Sequence, residues 1–254
     1  MARPGDGLVA GHQAIADRLV AGLSRLTFAA PVTHTYNPLI YARSGYDRYV
    51  ACFGGTVRPV VLVGMNPGPF GMAQTGVPFG DVEMVTGWMG IEARVAAPAS
   101  PHPKRPISGF SCTRREVSGS RLWGWARQRF GTPAAFFERF FVVNYCPLVF
   151  MEASGRNRTP DKLPAVEKKR LFRVCDRALA ESIDILKPQW VVGIGAFAEK
   201  RIHAALKGSN LTIGRMTHPS PANPRANRGW APLVESELSA MGIDLPGQEE
   251  TGAG

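Results

Sequence analysis

Pro59-Val60-Val61-Leu62-Val63-Gly64-Met65-Asn66-Pro67-Gly68-Pro69-Phe70-Gly71-Met72 decides the architecture of this chain. Its first half is an unbroken Val/Leu run, the pattern of a strand buried on both faces. The run stops on a loop stiffened by glycine and proline that carries one amide, Asn66. Far downstream the same arrangement returns. Leu211-Thr212-Ile213-Gly214-Arg215-Met216 reads as a buried strand and leads into His218-Pro219-Ser220-Pro221-Ala222-Asn223-Pro224. Open parallel sheets hold their chemistry in loops just past the carboxyl ends of their strands. One loop offers an amide and the other an imidazole, so the two are expected to share a site.

Two more strands are expected, at 139–145 with Asn144 near its end and at 189–194. Helical spacing of apolar residues predicts helices over 9–27, from Asn37-Pro38 through Tyr49, from Ser118 through Phe130, over 165–187, through 197–206, and over 229–241. Asp81 is the expected N-cap of a short helix through Trp88. Residues 95–113, rich in Pro, Ala and Ser, and the polar stretch around Gly155, Asn157 and Pro160 read as loops. Strands alternating with helices give an α/β fold with a mostly parallel four-stranded sheet covered on both faces. No repeat or linker divides the chain, so one domain is expected over 1–246, followed by a disordered tail at 247–254.

The 254 residues are 44% hydrophobic, enough for one sizeable core. The net charge is +10, and the excess is clustered. Arg94, Lys104, Arg105, Arg114 and Arg115 fall in one acid-free segment; Lys200, Arg201, Lys207, Arg215, Arg225 and Arg228 fall in another. A solvated basic face and a surface for nucleic-acid phosphates both fit that composition. The second segment encloses the His218 loop, which favours the phosphate reading. Cys52, Cys112, Cys146 and Cys175 lack metal-site spacing and are expected to be reduced core residues. The stretch from Met1 to Gly11 lacks the apolar core of a signal peptide, and no run approaches the ~20 apolar residues of a membrane span. A cytoplasmic protein without membrane association is expected, nucleoid-associated if bacterial.

Other chemistries find little support. There is no G-x-S-x-G elbow and no Walker A motif. Gly193-Ile194-Gly195-Ala196-Phe197-Ala198 has the shape of a dinucleotide fingerprint, but the position about 20 residues on is Arg215, where an acid would hold the ribose. It reads as a tight strand-to-helix turn. Phe136, Phe137, Phe140 and Phe141 read as core, and His102 and His203 as surface residues.

Gly64-Met65-Asn66-Pro67-Gly68-Pro69-Phe70-Gly71-Met72-Ala73-Gln74-Thr75-Gly76-Val77-Pro78-Phe79-Gly80, then Asn144-Tyr145-Cys146-Pro147-Leu148, then His218-Pro219-Ser220-Pro221, closely resemble the single-strand-selective monofunctional uracil-DNA glycosylases. Ser118-Gly119-Ser120-Arg121-Leu122-Trp123-Gly124 and Thr159-Pro160-Asp161-Lys162-Leu163-Pro164 resemble that family as well. The likeness runs from about residue 35 to 242. It implies a three-layer α/β/α sandwich with a short parallel sheet. It also implies a monomer that flips uracil, or an oxidised 5-substituted uracil such as 5-hydroxymethyluracil, out of single- or double-stranded DNA. Water then cuts the N-glycosidic bond and leaves an abasic site, without metal or cofactor. By the resemblance Asn66 positions the water, Phe79 stacks on the base, Asn144 reads its edge and His218 donates to O2 as charge builds there. Met65, Gly68 and Met72 line the pocket, the latter two near C5. Ser220, Pro221, Ala222 and Asn223 form the wedge that fills the duplex, with Arg225 and Arg228 nearby on DNA. Family members carry Arg where this chain has Ala222; Asn223 and Arg225 are the candidates to compensate. Two rival readings are a module that binds damaged or single-stranded DNA without cutting it, and a hydrolase of free nucleosides or nucleotides.

Overall fold

The computed structural model describes residues 5–246, so the tail expected to be disordered at 247–254 lies outside the described residues. The helices are α1 (Asp6–Leu23), α2 (Pro38–Tyr41), α3 (Arg43–Phe53), α4 (Met72–Thr75), α5 (Val82–Gly87), α6 (Val117–Phe130), α7 (Pro133–Arg139), α8 (Ala165–Leu186), α9 (Ala196–Ala205) and α10 (Trp230–Ala240). The strands are β1 (Val32–Tyr36), β2 (Val60–Gly64), β3 (Phe140–Asn144), β4 (Val149–Glu152), β5 (Asn157–Arg158), β6 (Trp190–Ile194) and β7 (Thr212–Met216).

The main sheet has the order β3-β2-β6-β7, and every pairing in it is parallel. The chain steps from β2 outward to β3, then returns past β2 to β6 and β7. Right-handed crossovers therefore send the helices of the first step to one face and those of the later steps to the other. The packing follows this rule. Helices α5, α7 and α10 contact α6, while α1 and α9 contact α8. This is the expected α/β/α layering. Strand β2, in the middle, is buried at every position, as its Val/Leu run requires.

Helix α8 shows how a layer is fixed. Leu171, Cys175, Ala178, Leu179, Ile183 and Leu186 recur at helical spacing and are all buried. Each buried Leu or Ile there contributes about 1.5–3 kcal/mol. On the opposite side Phe136, Phe137, Phe140 and Phe141 are buried with Trp123, as expected.

Four expectations need correction. Strand β7 is not buried: it is a sheet edge, and Thr212 and Arg215 face solvent. The helix expected from Asn37 breaks at Ala42 into α2 and α3. Residues 145–164 are not simply a polar loop, because β4 and β5 join β1 in a second, antiparallel sheet of order β1-β4-β5. Two of the cysteines are not core residues: Cys52 is exposed and Cys112 half-buried, whereas Cys146 and Cys175 are buried, and all four are free thiols.

Register places the site. Gly64 pairs with Asn144 and Ile194 with Met216, so these strands end level at one edge of the sheet. Asn66 and His218 each lie two residues past a strand end, and Asn144 is the last residue of β3. The strand order reverses at β2, which is where open α/β sheets form a crevice.

Candidate active site

A cleft of about 470 Å³ opens at that edge. Met65, Asn66, Gly68, Met72, Phe79, Asn144, His218, Ser220 and Pro221 all border it. Ala222, Asn223, Arg225 and Arg228 do not; they continue the His218 loop beyond the rim.

His218 is held by its own loop. Its Nδ1 accepts the Ser220 backbone N–H at 3.0 Å. A neutral imidazole has one donor and one acceptor, so this bond puts the proton on Nε2. Burial pushes the His218 pKa down to about 4, so the ring is neutral at pH 7. The strand leading to it is anchored from α10: Glu237 accepts both the N–H (2.6 Å) and the hydroxyl (2.8 Å) of Thr217. Trp230 Nε1 donates to the Thr217 carbonyl at 2.7 Å.

Asn66 donates from Nδ2 to the Leu148 carbonyl at 3.0 Å and to the Pro67 carbonyl at 3.3 Å. Its Oδ1 is buried without any partner in the protein. A buried acceptor left unpaired costs about 1–3 kcal/mol, which makes this oxygen a place for a water molecule. Asn144 donates from Nδ2 to the Met72 thioether at 3.2 Å, a weak acceptor, so its amide keeps hydrogen-bonding capacity for a polar ligand.

Phe79 sits at φ 54°, unusual for a residue with a side chain. Its carbonyl takes the Asp81 N–H (2.7 Å) and Trp123 Nε1 (3.1 Å). A Cβ at Gly119 would lie 2.0 Å from that same carbonyl, so α6 can approach only with glycine there. The ring centroids of Phe79 and His218 are 6.3 Å apart.

Asp81 stands at the expected N-cap position of α5 but caps nothing with its side chain. Instead its fully buried carboxylate accepts from Arg115 Nε (2.9 Å), Glu116 N (3.0 Å) and Ser120 Oγ (3.0 Å), and so ties the turn after Phe79 to the start of α6. Gln74 plays the same part for the first loop. Its Nε2 donates to the Pro69 and Pro106 carbonyls, and its Oε1 accepts from Ser108 and Gly109. Tyr41 donates its hydroxyl to the Ala73 carbonyl at 2.7 Å.

Sequence reasoning missed Glu116. It borders the cleft, and burial, followed by the neighbouring Asp81, pushes its carboxyl above the usual range against the N–H groups of Ser118 and Phe70. A Cβ on Gly68 would lie 2.7 Å from Glu116 Oε2. Gly68 is therefore glycine because a carboxylate lies beside it, and its φ is not in the left-handed region. The only mark in the sequence is an acid just before the first turn of a helix; its place beside the glycines of the first loop does not show there.

The loop after His218 is braced by Arg121, also missed, which donates to the Pro219 carbonyl (3.0 Å) and to Asn227 Oδ1 (2.9 Å). Arg225 is paired with Glu237 at 3.4 Å, so it is not a free cation. The second acid-free segment is likewise not one basic face: Arg201 is ion-paired with Asp176 and Arg215 with Glu199. His102 is buried rather than exposed, accepting the Lys104 N–H at Nδ1 (3.0 Å) with Nε2 3.0 Å from the Glu152 carbonyl. Among the described residues no three His, Cys, Asp or Glu side chains group as metal ligands, and no helix is long and apolar enough to cross a membrane.

Residues 53–234 match the model of the uracil DNA glycosylase superfamily. The chain is 45% identical over 228 residues to the single-strand selective monofunctional uracil-DNA glycosylase of Rattus norvegicus, covering 89% of this chain and 82% of the relative. The Bos taurus protein of the same name is 43% identical over 228 residues, covering 89% and 84%. The chain belongs to the single-strand-selective monofunctional uracil-DNA glycosylase family. The fold is also that of the crystal structure of wild-type Pedobacter heparinus SMUG2. That chain matches with a TM-score of 0.64 and 18% identity, over 90% of this chain and 97% of the other.

Proposed function

We propose that the cleft binds a uracil flipped out of DNA and hydrolyses its N-glycosidic bond, and that it accepts oxidised 5-substituted uracils such as 5-hydroxymethyluracil. The observation that carries this reading is the neutral His218, with its one proton held on Nε2, in the same cleft as the amides of Asn66 and Asn144. Bond breaking sends the electron pair to N1 of the base and leaves an oxocarbenium ion at C1′ of the sugar. The His218 Nε2–H donates to O2 as that charge develops, an oxyanion-hole contribution of about 3–4 kcal/mol. The Asn144 carbonyl accepts from N3–H while its NH₂ donates to O4, a pattern that cytosine cannot satisfy. Asn66 Oδ1 takes a hydrogen bond from the attacking water. The water oxygen bonds to C1′, one water proton is released, and the departing base takes up a proton, giving free uracil and an abasic site. Phe79 stacks on the flipped base, the loop from Ser220 to Asn223 fills its place in the duplex, and the protein acts as a monomer.

The test is an abasic-site assay on oligonucleotides with one uracil or one 5-hydroxymethyluracil, single-stranded and duplex. Alkali-labile strands at the modified position are expected for both bases. Binding without strand lability would replace the reading with a damage-binding module. Activity on free deoxyuridine that undamaged DNA does not inhibit would replace it with a nucleoside hydrolase.

A further inference from the structure

Phe70 is unlike the other phenylalanines of this chain. Every other one lies in the main apolar core or packs against it, whereas Phe70 joins neither apolar cluster. Its ring instead lies 4.1 Å from the guanidinium carbon of Arg114 and 5.5 Å from that of Arg105. Phe70 and Arg114 both border the cleft that holds Asn66 and His218. Arg114 is exposed and makes no ion pair among the described residues, while its neighbour Arg115 is held by Asp81 and Glu83. The same rim continues through exposed Lys104 and Arg156, with Gly155 packed between Lys104 and Arg105. Ser220 and Pro221 of the loop after His218 border the same cleft.

A half-buried aromatic ring outside the apolar clusters adds little to folding. Beside unpaired cations, however, it is the combination that binds unpaired strands: a ring for a base face and cations for the flanking phosphates. In a duplex the flanking base keeps its other neighbour, and on the proposed function the loop after His218 fills the flipped nucleotide's place, so the ring gains little there. An exposed cation–π pair is weaker than a base–aromatic stack, so a base can displace the guanidinium from the ring onto its own phosphate. We propose that Phe70, with Arg114 and Arg105, is a stacking platform for an unpaired base flanking the flipped nucleotide, and that it biases the protein toward single-stranded DNA. The proposal rests on reading the cleft as a site for a DNA nucleotide.

The test is fluorescence anisotropy with a labelled oligonucleotide carrying one 2′-fluoro-2′-deoxyuridine, which resists cleavage, as single strand and as duplex. Phe70→Leu is expected to weaken single-strand binding about tenfold, the order of one lost stack, and duplex binding much less. Phe70→Trp should bind the single strand at least as well as the parent. Arg114→Ala should flatten the slope of log K against log salt by ~0.7 on the single strand. Equal loss on both forms, no loss in the Leu variant, or weaker single-strand binding by the Trp variant overturns the platform. Excision by the parent protein is measured alongside. Excision without any Phe70 effect removes the platform alone, whereas failure of the parent to excise uracil overturns the functional reading.

Discussion

Replacing His218 separates its two roles, because the structure gives each ring nitrogen a different one. Nδ1 holds the Ser220 N–H at 3.0 Å, and Nε2 carries the only proton. His218→Ala removes both. The lost donor should slow the chemical step by ~10²–10³, the cost of one oxyanion-hole contact of about 3–4 kcal/mol. The freed Ser220 N–H adds about 1–3 kcal/mol of lost stability if no water replaces the ring. His218→Asn removes only the first role. An Asn side chain accepts the N–H two residues on in an Asx turn, the same offset that His218 uses, but its amide falls short of where Nε2 reaches. Single-turnover excision of uracil and of 5-fluorouracil from the same strand, with melting temperatures, reads the two effects apart. Both variants should lose ~10²–10³ on uracil, the loss should shrink for 5-fluorouracil, whose anion needs less help, and the Asn variant should melt higher than the Ala variant. If the Asn variant cuts uracil at nearly the parent rate while the Ala variant does not, His218 is a loop brace and the donor assignment is refuted. An equal loss for the two bases refutes it too.

Four further outcomes follow from the same geometry. Burial holds His12 and His218 at pKa values of about 4, below the ordinary 6.5, so each contributes stability that is present above pH 6.5 and lost as pH falls toward 4, about 3 kcal/mol per histidine. Denaturant midpoints at pH 7 and pH 4.5 should differ accordingly, and His12→Asn should narrow the gap. Asn66→Ala should cost ~10² in single-turnover rate while leaving affinity for uracil DNA nearly intact, because misplacing the water affects the reaction more than binding; a binding titration beside the rate measurement checks both. Asn144→Asp should cut uracil excision sharply, since a carboxylate accepts but cannot donate to O4, and excision from cytosine strands tests for the altered base choice. Gly68→Ala has to displace the Glu116 carboxylate, and Gly68→Tyr should in addition fill the space beside it and abolish 5-hydroxymethyluracil excision before uracil excision; activity on both bases, with melting temperatures, shows whether the two losses separate.

The main sheet was legible because β2 is a two-sided buried strand, and only a covered parallel sheet accommodates such a run. The second sheet was not. Strand β5 has two residues, and β4 begins five positions after β3 ends, too close for periodicity to divide the apolar stretch. Strand β7 carries enough apolar residues to read as buried, yet nothing in its composition reveals that no strand covers its outer edge. The polar residues at the strand ends could be placed together because strand polarity alone puts them at one edge. What the sequence did not disclose is which polar groups hold the loops in position. Asp81, Gln74, Glu116 and Arg121 act across gaps of 32 to 106 residues, and contacts of that range leave no local pattern.

Those long-range contacts explain how a site made of neutral side chains can work. In the proposed reaction the Asn66 amide cannot take a full proton from the water, and a neutral imidazole has only one proton to donate, so neither group is a strong catalyst alone. The rate must come from holding them where charge and water will be, with little reorganisation. Asp81 shows what this holding requires. One oxygen of its buried carboxylate takes three hydrogen bonds from the Arg115–Ser120 stretch, while its neighbours in sequence form the turn that sets Phe79 at a positive φ. The same three bonds fix the backbone that carries Glu116 beside Gly68. Asn at this position can keep its carbonyl oxygen on all three donors, but Asp81→Ala would remove their shared acceptor at once. It should therefore displace Phe79 and the Glu116 carboxylate beside Gly68 together, although Asp81 does not itself border the cleft. A buried carboxylate that serves only to join loops is a costly way to gain stability. Here it joins the turn that carries Phe79 to the stretch that carries Glu116, two residues that border the cleft.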